Sequence, residues 1–197
     1  MANFMLINEN FYLELNVWIK NGDHMGVTKK KYALFIVGER NSGKSTLIRS
    51  LTGCARNKVC NVKTLSGQPL RAFVSLSSPQ EMGMSNYPPQ SFPQSIENKY
   101  SVGRNDYDIL ISALELIVRR NPAAYGYQQY IQSVREQYFD VRLAVIQRSW
   151  NNVPADLDAI TTIQGYAHEK NIPIILVDAS NDPNQESSRI RRNLYPP

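Results

Sequence analysis

YALFIVGERNSGKSTLIRSLTG, residues 32–53, holds an apolar run, a glycine turn and a helical pattern in consecutive order. Tyr32 to Val37 has the makings of a buried strand. From Ser45 to Thr52, Leu47, Ile48 and Leu51 fall at helical spacing, and Gly53 stands where a C-terminal cap belongs. Between them, Gly38, Gly43, Lys44 and Ser45 fit the spacing G-x-x-x-x-G-K-[ST]. The two glycines let the backbone turn inward, so that successive N–H groups converge on one anion site. A helix that starts there adds its unpaired N–H groups and its dipole. Lys44 brings a compact positive charge suited to β- and γ-phosphates. The Ser45 hydroxyl suits a magnesium ion that keeps most of its waters.

This segment resembles the Walker A motif of the P-loop NTPase superfamily, and the resemblance covers only these residues. It implies an α/β, three-layer fold with a mostly parallel sheet and helices on both faces. It also implies that Gly38, Glu39, Arg40, Asn41, Ser42, Gly43, Lys44, Ser45 and Thr46 surround the phosphates of ATP or GTP. Lys44 would then stabilise charge on the transferring phosphate, and Ser45 would help to hold Mg2+.

The rest of the chain fits that frame. Runs at Val59–Leu65 and Leu70–Leu76, parted by Ser-Gly-Gln-Pro, predict an antiparallel hairpin after the P-loop helix. That order resembles Ras-like and translation-factor GTPases. Residues 77–104 carry four prolines, Pro79, Pro88, Pro89 and Pro93, which rule out a continuous helix or a central strand. The resemblance makes this loop a candidate γ-phosphate switch. Asn105–Arg120 reads as a capped helix, with Asp106 and Asp108 in its first turn and Arg119 and Arg120 in its last. Pro122 then opens a second helix with Tyr127, Ile131, Val134 and Tyr138 on its apolar face. Val141–Ile146 predicts a strand, Asp156–Lys170 a helix and Pro173–Val177 a further strand, an alternation expected of a parallel sheet. At the start, residues 11–20 alternate as a strand would and end at Asn21-Gly22.

The superfamily resemblance calls for a carboxylate ending a second apolar strand. Ile174–Asp178 supplies four apolar residues and an acid, which assigns Asp178 a metal-holding and catalytic role. The competing position, after Leu70–Leu76, holds Ser77-Ser78. Guanine readers of the Ras-like type carry N-K-x-D after a late strand, where this chain has Gln147-Arg148-Ser149-Trp150, so adenine is the default expectation. Trp150 could stack on a base or fill the core, and the core is the more common place for it.

Length and composition predict one domain over residues 1–197, with an N-terminal extension (1–30), the Pro-rich loop (77–104) and a basic tail (181–197). No run reaches the roughly 18 apolar residues of a membrane span, and nothing resembles a secretory signal, so a cytoplasmic location is expected. Cys54 and Cys60 are expected as reduced thiols. Ten basic residues against Glu39 alone lie between Lys29 and Arg71, a region that suits nucleotide phosphates or a nucleic-acid backbone. The leading expectation is a Mg-dependent ATPase whose output is conformational or directed at nucleic acid. The alternatives are a small-molecule or polynucleotide kinase and a GTPase-like nucleotide-gated module with little turnover.

Overall fold

β1 (Lys31–Gly38) buries its last six residues and turns apolar side chains to both faces, so it needs cover above and below and a neighbour on each edge. A computed structural model describes residues 30–64, 66–83, 87–117 and 125–196. The strand expected over residues 11–20, Leu65 of the hairpin and Pro122 all lie outside these residues. After β1 come α1 (Lys44–Thr52), β2 (Lys58–Lys63), β3 (Pro69–Ser75), α2 (Gln94–Lys99), β4 (Ile109–Glu115) and α3 (Tyr127–Glu136). β5 (Phe139–Arg148), α4 (Leu157–Glu169), β6 (Ile174–Asp178) and α5 (Pro183–Leu194) follow.

The sheet has six strands in the order β2-β3-β4-β1-β5-β6. Among the described strands, β2 and β3 pair antiparallel and the other neighbours pair parallel. Leu34 and Ile36 face Leu47, Ile48 and Leu51 of α1 and Ile190 and Leu194 of α5. Ala33, Phe35 and Val37 face the opposite core, with Tyr130, Ile131 and Val134 of α3 and Ile160 and Ile163 of α4. Each fully buried side chain of this size is worth about 1.5–3 kcal/mol, so two such layers are what hold β1 in place.

One expected helix is a strand. All seven residues of β4 are buried, and its neighbours are β3 and β1. A helix over Asn105–Arg120 would have left one face in water, whereas a central strand needs an unbroken apolar run; periodicity alone does not separate the two. The acids read as helix caps serve the turn and the sheet instead. Asp106 Oδ2 accepts from the Gly103 N–H at 2.7 Å, and Asp108 Oδ2 accepts from the Arg71 N–H at 2.9 Å. α3 forms as expected, but Tyr138 falls beyond it at φ 65° and is 90% exposed. Cys54 and Cys60, expected as reduced thiols, stand side by side, with Cα atoms 6.5 Å apart.

The Pro-rich segment is anchored rather than loose. Phe92 and Ile96 are fully buried in the α3–α4 core. At its far end the buried Glu97 carboxylate pairs with Arg104 Nε at 2.7 Å and accepts from the Tyr107 hydroxyl. Arg104 also donates to Gln137 Oε1 at 2.8 Å. Burial, and then the Glu97 carboxylate, push the Tyr107 hydroxyl far above its ordinary pKa, so it stays a donor.

This network predicts an asymmetry in stability. Glu97→Ala strands Arg104 and the Tyr107 hydroxyl and should cost about 2–3 kcal/mol in urea unfolding. Lys30→Ala removes a 2.9 Å pair with Asp140. Because the Lys30 side chain is 65% exposed, that change should leave the urea-unfolding midpoint nearly unchanged.

Candidate functional site

The turn between β1 and α1 is set by Gly43. Its φ of 102° is a left-handed value that a side chain rarely tolerates, and α1 starts from it with no side-chain cap on its first N–H groups. Asn41 shares that region at φ 59°. Gly38 is held by space: a Cβ there would lie 2.5 Å from Ser42 Oγ and 3.1 Å from Ile146 Cβ. Ser42 is buried, and its hydroxyl is among the buried polar atoms that find no partner in the described residues. Uncapped N–H groups and an orphaned hydroxyl in one bend are what a bound phosphate would satisfy.

Lys44 does not project into open space. It is 5% exposed, and its ammonium donates to the Gly38 carbonyl at 3.1 Å and the Glu39 carbonyl at 2.7 Å. Burial pushes its pKa down, while Glu81, Glu115 and Glu39 hold it up. Glu81 Oε1 stands 3.8 Å from Nζ. The Ser45 hydroxyl donates to the Leu76 carbonyl at 2.8 Å, which brings the residues following β3 against the start of α1. Arg40 and Thr46 are exposed at the rim. The Glu39 carboxylate accepts from the Asp156 N–H at 3.0 Å and ties the bend to the loop after β5.

On the opposite flank lie the ends of β5 and β6. Trp150, expected in the core, is 65% exposed, and its indole N–H donates to the Asn41 carbonyl at 3.0 Å. Ala179 and Trp150 both line the space beside Gly43. Asp178 ends the edge strand β6. There it accepts from the Ser180 N–H at 3.0 Å and hydroxyl at 2.6 Å, and stands 3.5 Å from Arg148 Nε.

The structure puts the two residues expected to hold magnesium, Ser45 and Asp178, on different flanks of the bend. Ser45 reaches the end of β3, two strands from β1 on one side, while Asp178 ends β6, two strands away on the other. With strands about 4.8 Å apart, the two groups face different parts of the bend. The acids that gather at Lys44 are Glu81 and Glu115, which the sequence reading did not select. The signal for Glu115 was available: it is an acid ending an apolar run, in register with Gly38. Reading that run as a helix hid it.

Magnesium fits the donors present. Among the described residues no group of three or more His, Cys, Asp or Glu could cage a metal. A hydroxyl such as that of Ser45, substrate phosphates and retained waters are the donors magnesium prefers. A cavity of about 770 Å³, lined by Gln90, Gln94, Gln128, Gln132 and Tyr166, involves neither the bend nor Lys44.

Fold and bend together define a P-loop NTPase of the α/β class. The model of the 50S ribosome-binding GTPase family matches residues 33–179, and the chain belongs to that family. Among solved structures it is similar to the G-domain of FeoB from Methanococcus jannaschii. The two are 13% identical over 83% of this chain and 94% of that one, with a TM-score of 0.45. It is also similar to a bacterial selenocysteine-specific elongation factor, EF-Sec. That match is 13% identical over 83% of this chain and 28% of that chain, with a TM-score of 0.37. No curated protein matches the sequence. Among the described residues, no helix is long and apolar enough to cross a membrane.

Gly43→Ala forces a side chain into the left-handed turn. It should cost about 1–2 kcal/mol of stability and raise the Kd for nucleotide at least about tenfold, measured by unfolding and by titration with a fluorescent nucleotide.

Proposed function

We propose that this protein binds GTP and hydrolyses it to GDP and phosphate with magnesium, in place of the ATP default drawn from the sequence. The observation that carries the reading is the uncapped, left-handed start of α1 at Gly43, with the Lys44 ammonium gathered onto the carbonyls of the same bend. Membership of a GTPase family supports guanine. In this reading the first N–H groups of α1 and the Lys44 ammonium stabilise charge on the β- and γ-phosphates as the terminal phosphoryl group departs. Ser45 holds magnesium, which when bound neutralises phosphate charge and orients the two phosphates. Lys44 leaves the Gly38 and Glu39 carbonyls for the phosphates, a stronger partner for an ammonium.

The nucleoside end of the substrate belongs beside Trp150, Ala179 and Asp178, beyond the carboxyl ends of the strands, where α/β sheets take their ligands. The exposed Trp150 ring offers a stacking face. The Asp178 carboxylate, only part-exposed at 24%, has the chemistry to accept from the N1–H and 2-amino groups of guanine, which adenine lacks. It takes the part that the missing N-K-x-D aspartate would play. Of the basic residues between 29 and 71, Arg40, Arg49, Arg56, Lys58, Lys63 and Arg71 are exposed, a face that suits phosphates, whereas three lysines are engaged within the fold. Lys30 pairs with Asp140, Lys31 donates to the carbonyls of Arg104 and Tyr107, and Lys44 is buried in the site.

Two measurements test the reading. In a thermal-shift panel with magnesium, GTP and GDP should raise the Tm more than ATP and ADP, because a ligand that binds the folded state stabilises it by mass action. Lys44→Ala should remove that rise. Asp178→Ala should cut the GTP-over-ATP preference about tenfold, equivalent to about 1.4 kcal/mol. Phosphate release from GTP without an added acceptor separates a hydrolase from a kinase. Tight GTP binding with no release over hours would leave a nucleotide-gated module instead.

A further inference from the structure

Cys54 and Cys60 bracket the link from the phosphate-binding helix to the edge strand of the sheet. Cys54 follows Gly53, the left-handed cap that ends α1 at φ 70°. The last turn of the helix fixes its place: its N–H donates to Thr52 Oγ1 at 3.1 Å, and that hydroxyl donates to the Ile48 carbonyl at 2.7 Å. Cys60 is fixed from the other side, in register with Ala72 across the β2–β3 ladder. Both side chains join the apolar cluster beneath α1, and their Cα atoms are 6.5 Å apart. That separation lies inside the range of about 4.4–6.8 Å that a disulfide spans.

The two thiols differ in access and in field. Cys54 is 2% exposed, whereas Cys60 is only partly buried. Cys54 also sits at the negative end of the α1 dipole, which disfavours a thiolate. Cys60 follows a basic stretch: Arg56 and Lys58 are exposed, and no acid occurs between Glu39 and Glu81. Nearby cations favour the thiolate, the form that attacks a disulfide.

The two cysteines are six positions apart, a short span for which a cross-link adds less stability than it does across a long loop. What a bond here holds is the loop itself. Asn57, within it, accepts from the Leu76 N–H at 2.8 Å and donates to the Tyr100 hydroxyl at 2.6 Å. The Leu76 carbonyl in turn accepts from the Ser45 hydroxyl at 2.8 Å, so the loop is two hydrogen bonds from the phosphate-binding bend.

We infer that Cys54 and Cys60 form a reversible redox site, oxidised by a small disulfide of the glutathione class, that controls nucleotide exchange. The Cys60 thiolate attacks one sulfur of oxidised glutathione, whose S–S bond breaks, and one glutathione thiolate leaves with the electron pair. Cys54 gives its proton to solvent and attacks the Cys60 sulfur of the mixed disulfide, and the second glutathione thiolate leaves. Both departing thiolates take up protons, so the protein loses two hydrogens and the oxidant becomes two molecules of reduced glutathione. Excess reduced glutathione runs the same steps backward. The bond holds Asn57 in place and Leu76 against Ser45, and a loop that opens less often releases nucleotide more slowly. The effect on exchange rests on the GTP reading; the cysteine chemistry stands apart from it.

The test treats the full chain with oxidised glutathione, blocks remaining thiols with a maleimide and maps the tryptic peptides by mass. Trypsin cuts after Arg56 and Lys58, so a bond between the cysteines leaves two peptides joined. We expect that joined pair in wild type, its loss on adding reduced glutathione, and glutathione trapped on Cys60 in Cys54→Ser. Cys60→Ser, changed at the less buried position, should stay unmodified at Cys54. Release of a fluorescent GDP should slow at least about threefold on oxidation of wild type and stay unchanged in Cys60→Ser. No joined pair, or one that reduced glutathione fails to open, overturns the redox site. Equal release rates in the oxidised and reduced forms overturn its control of exchange. A protein that binds no nucleotide in either form overturns the GTP reading and the exchange effect with it, while the peptide map still decides the cysteine chemistry.

Discussion

Gly43 begins a helix from a left-handed backbone angle, and the direction of everything at the site follows from that bend. The angle points the first amides of α1 back toward the end of β1, where Gly38 leaves no room for a side chain. Lys44 answers the crowding by turning its ammonium onto two carbonyls of the same loop. Burying a charge this way is tolerable only because those carbonyls, with Glu81, Glu115 and Glu39, offset the lost hydration. The β1 strand supports the bend in turn, through two apolar layers that leave it no freedom to slide.

The bend also sorts the site into two flanks. One, toward β3 and β4, collects the Ser45 hydroxyl, Gln80, Glu81 and Glu115. The other, toward β5 and β6, collects Trp150, Ala179, Arg148 and Asp178. In the proposed reading, phosphate chemistry and base recognition fall on opposite flanks, apart by the width of the central strands. Arg148 illustrates the division: it is spent on Asn152 Oδ1 at 2.9 Å and on Asp178, and it does not turn toward Lys44.

Much of this was legible in the residues. The P-loop with its flanking strand and helix, the hairpin, β5, β6 and the Asp156-capped α4 are local patterns whose period and caps agree. β4 was not legible, because Ile-Leu-Ile-Ser-Ala-Leu satisfies helical spacing as well as a buried strand, and Asn105 and Asp106 imitate a cap. Its misreading carried Glu115 away with it. Trp150 failed because aromatic residues are usually buried, and here a single hydrogen bond to the Asn41 carbonyl fixes the ring at the surface. Asp178 fitted a strand-end pattern that says nothing about which strand is at the edge.

The docking of α5 has a consequence for the order in which the chain matures. α5 seals the outer face of α1 through Ile190 and Leu194, and Arg191 bonds to the Leu51 carbonyl at 2.5 Å. The phosphate-binding helix is therefore synthesised early but stays unsheathed until residues 183–194 emerge. At ribosomal speeds of about 5–20 residues per second, that interval lasts roughly ten seconds. Until α5 emerges, the apolar side of α1 lacks the cover that Ile190 and Leu194 provide.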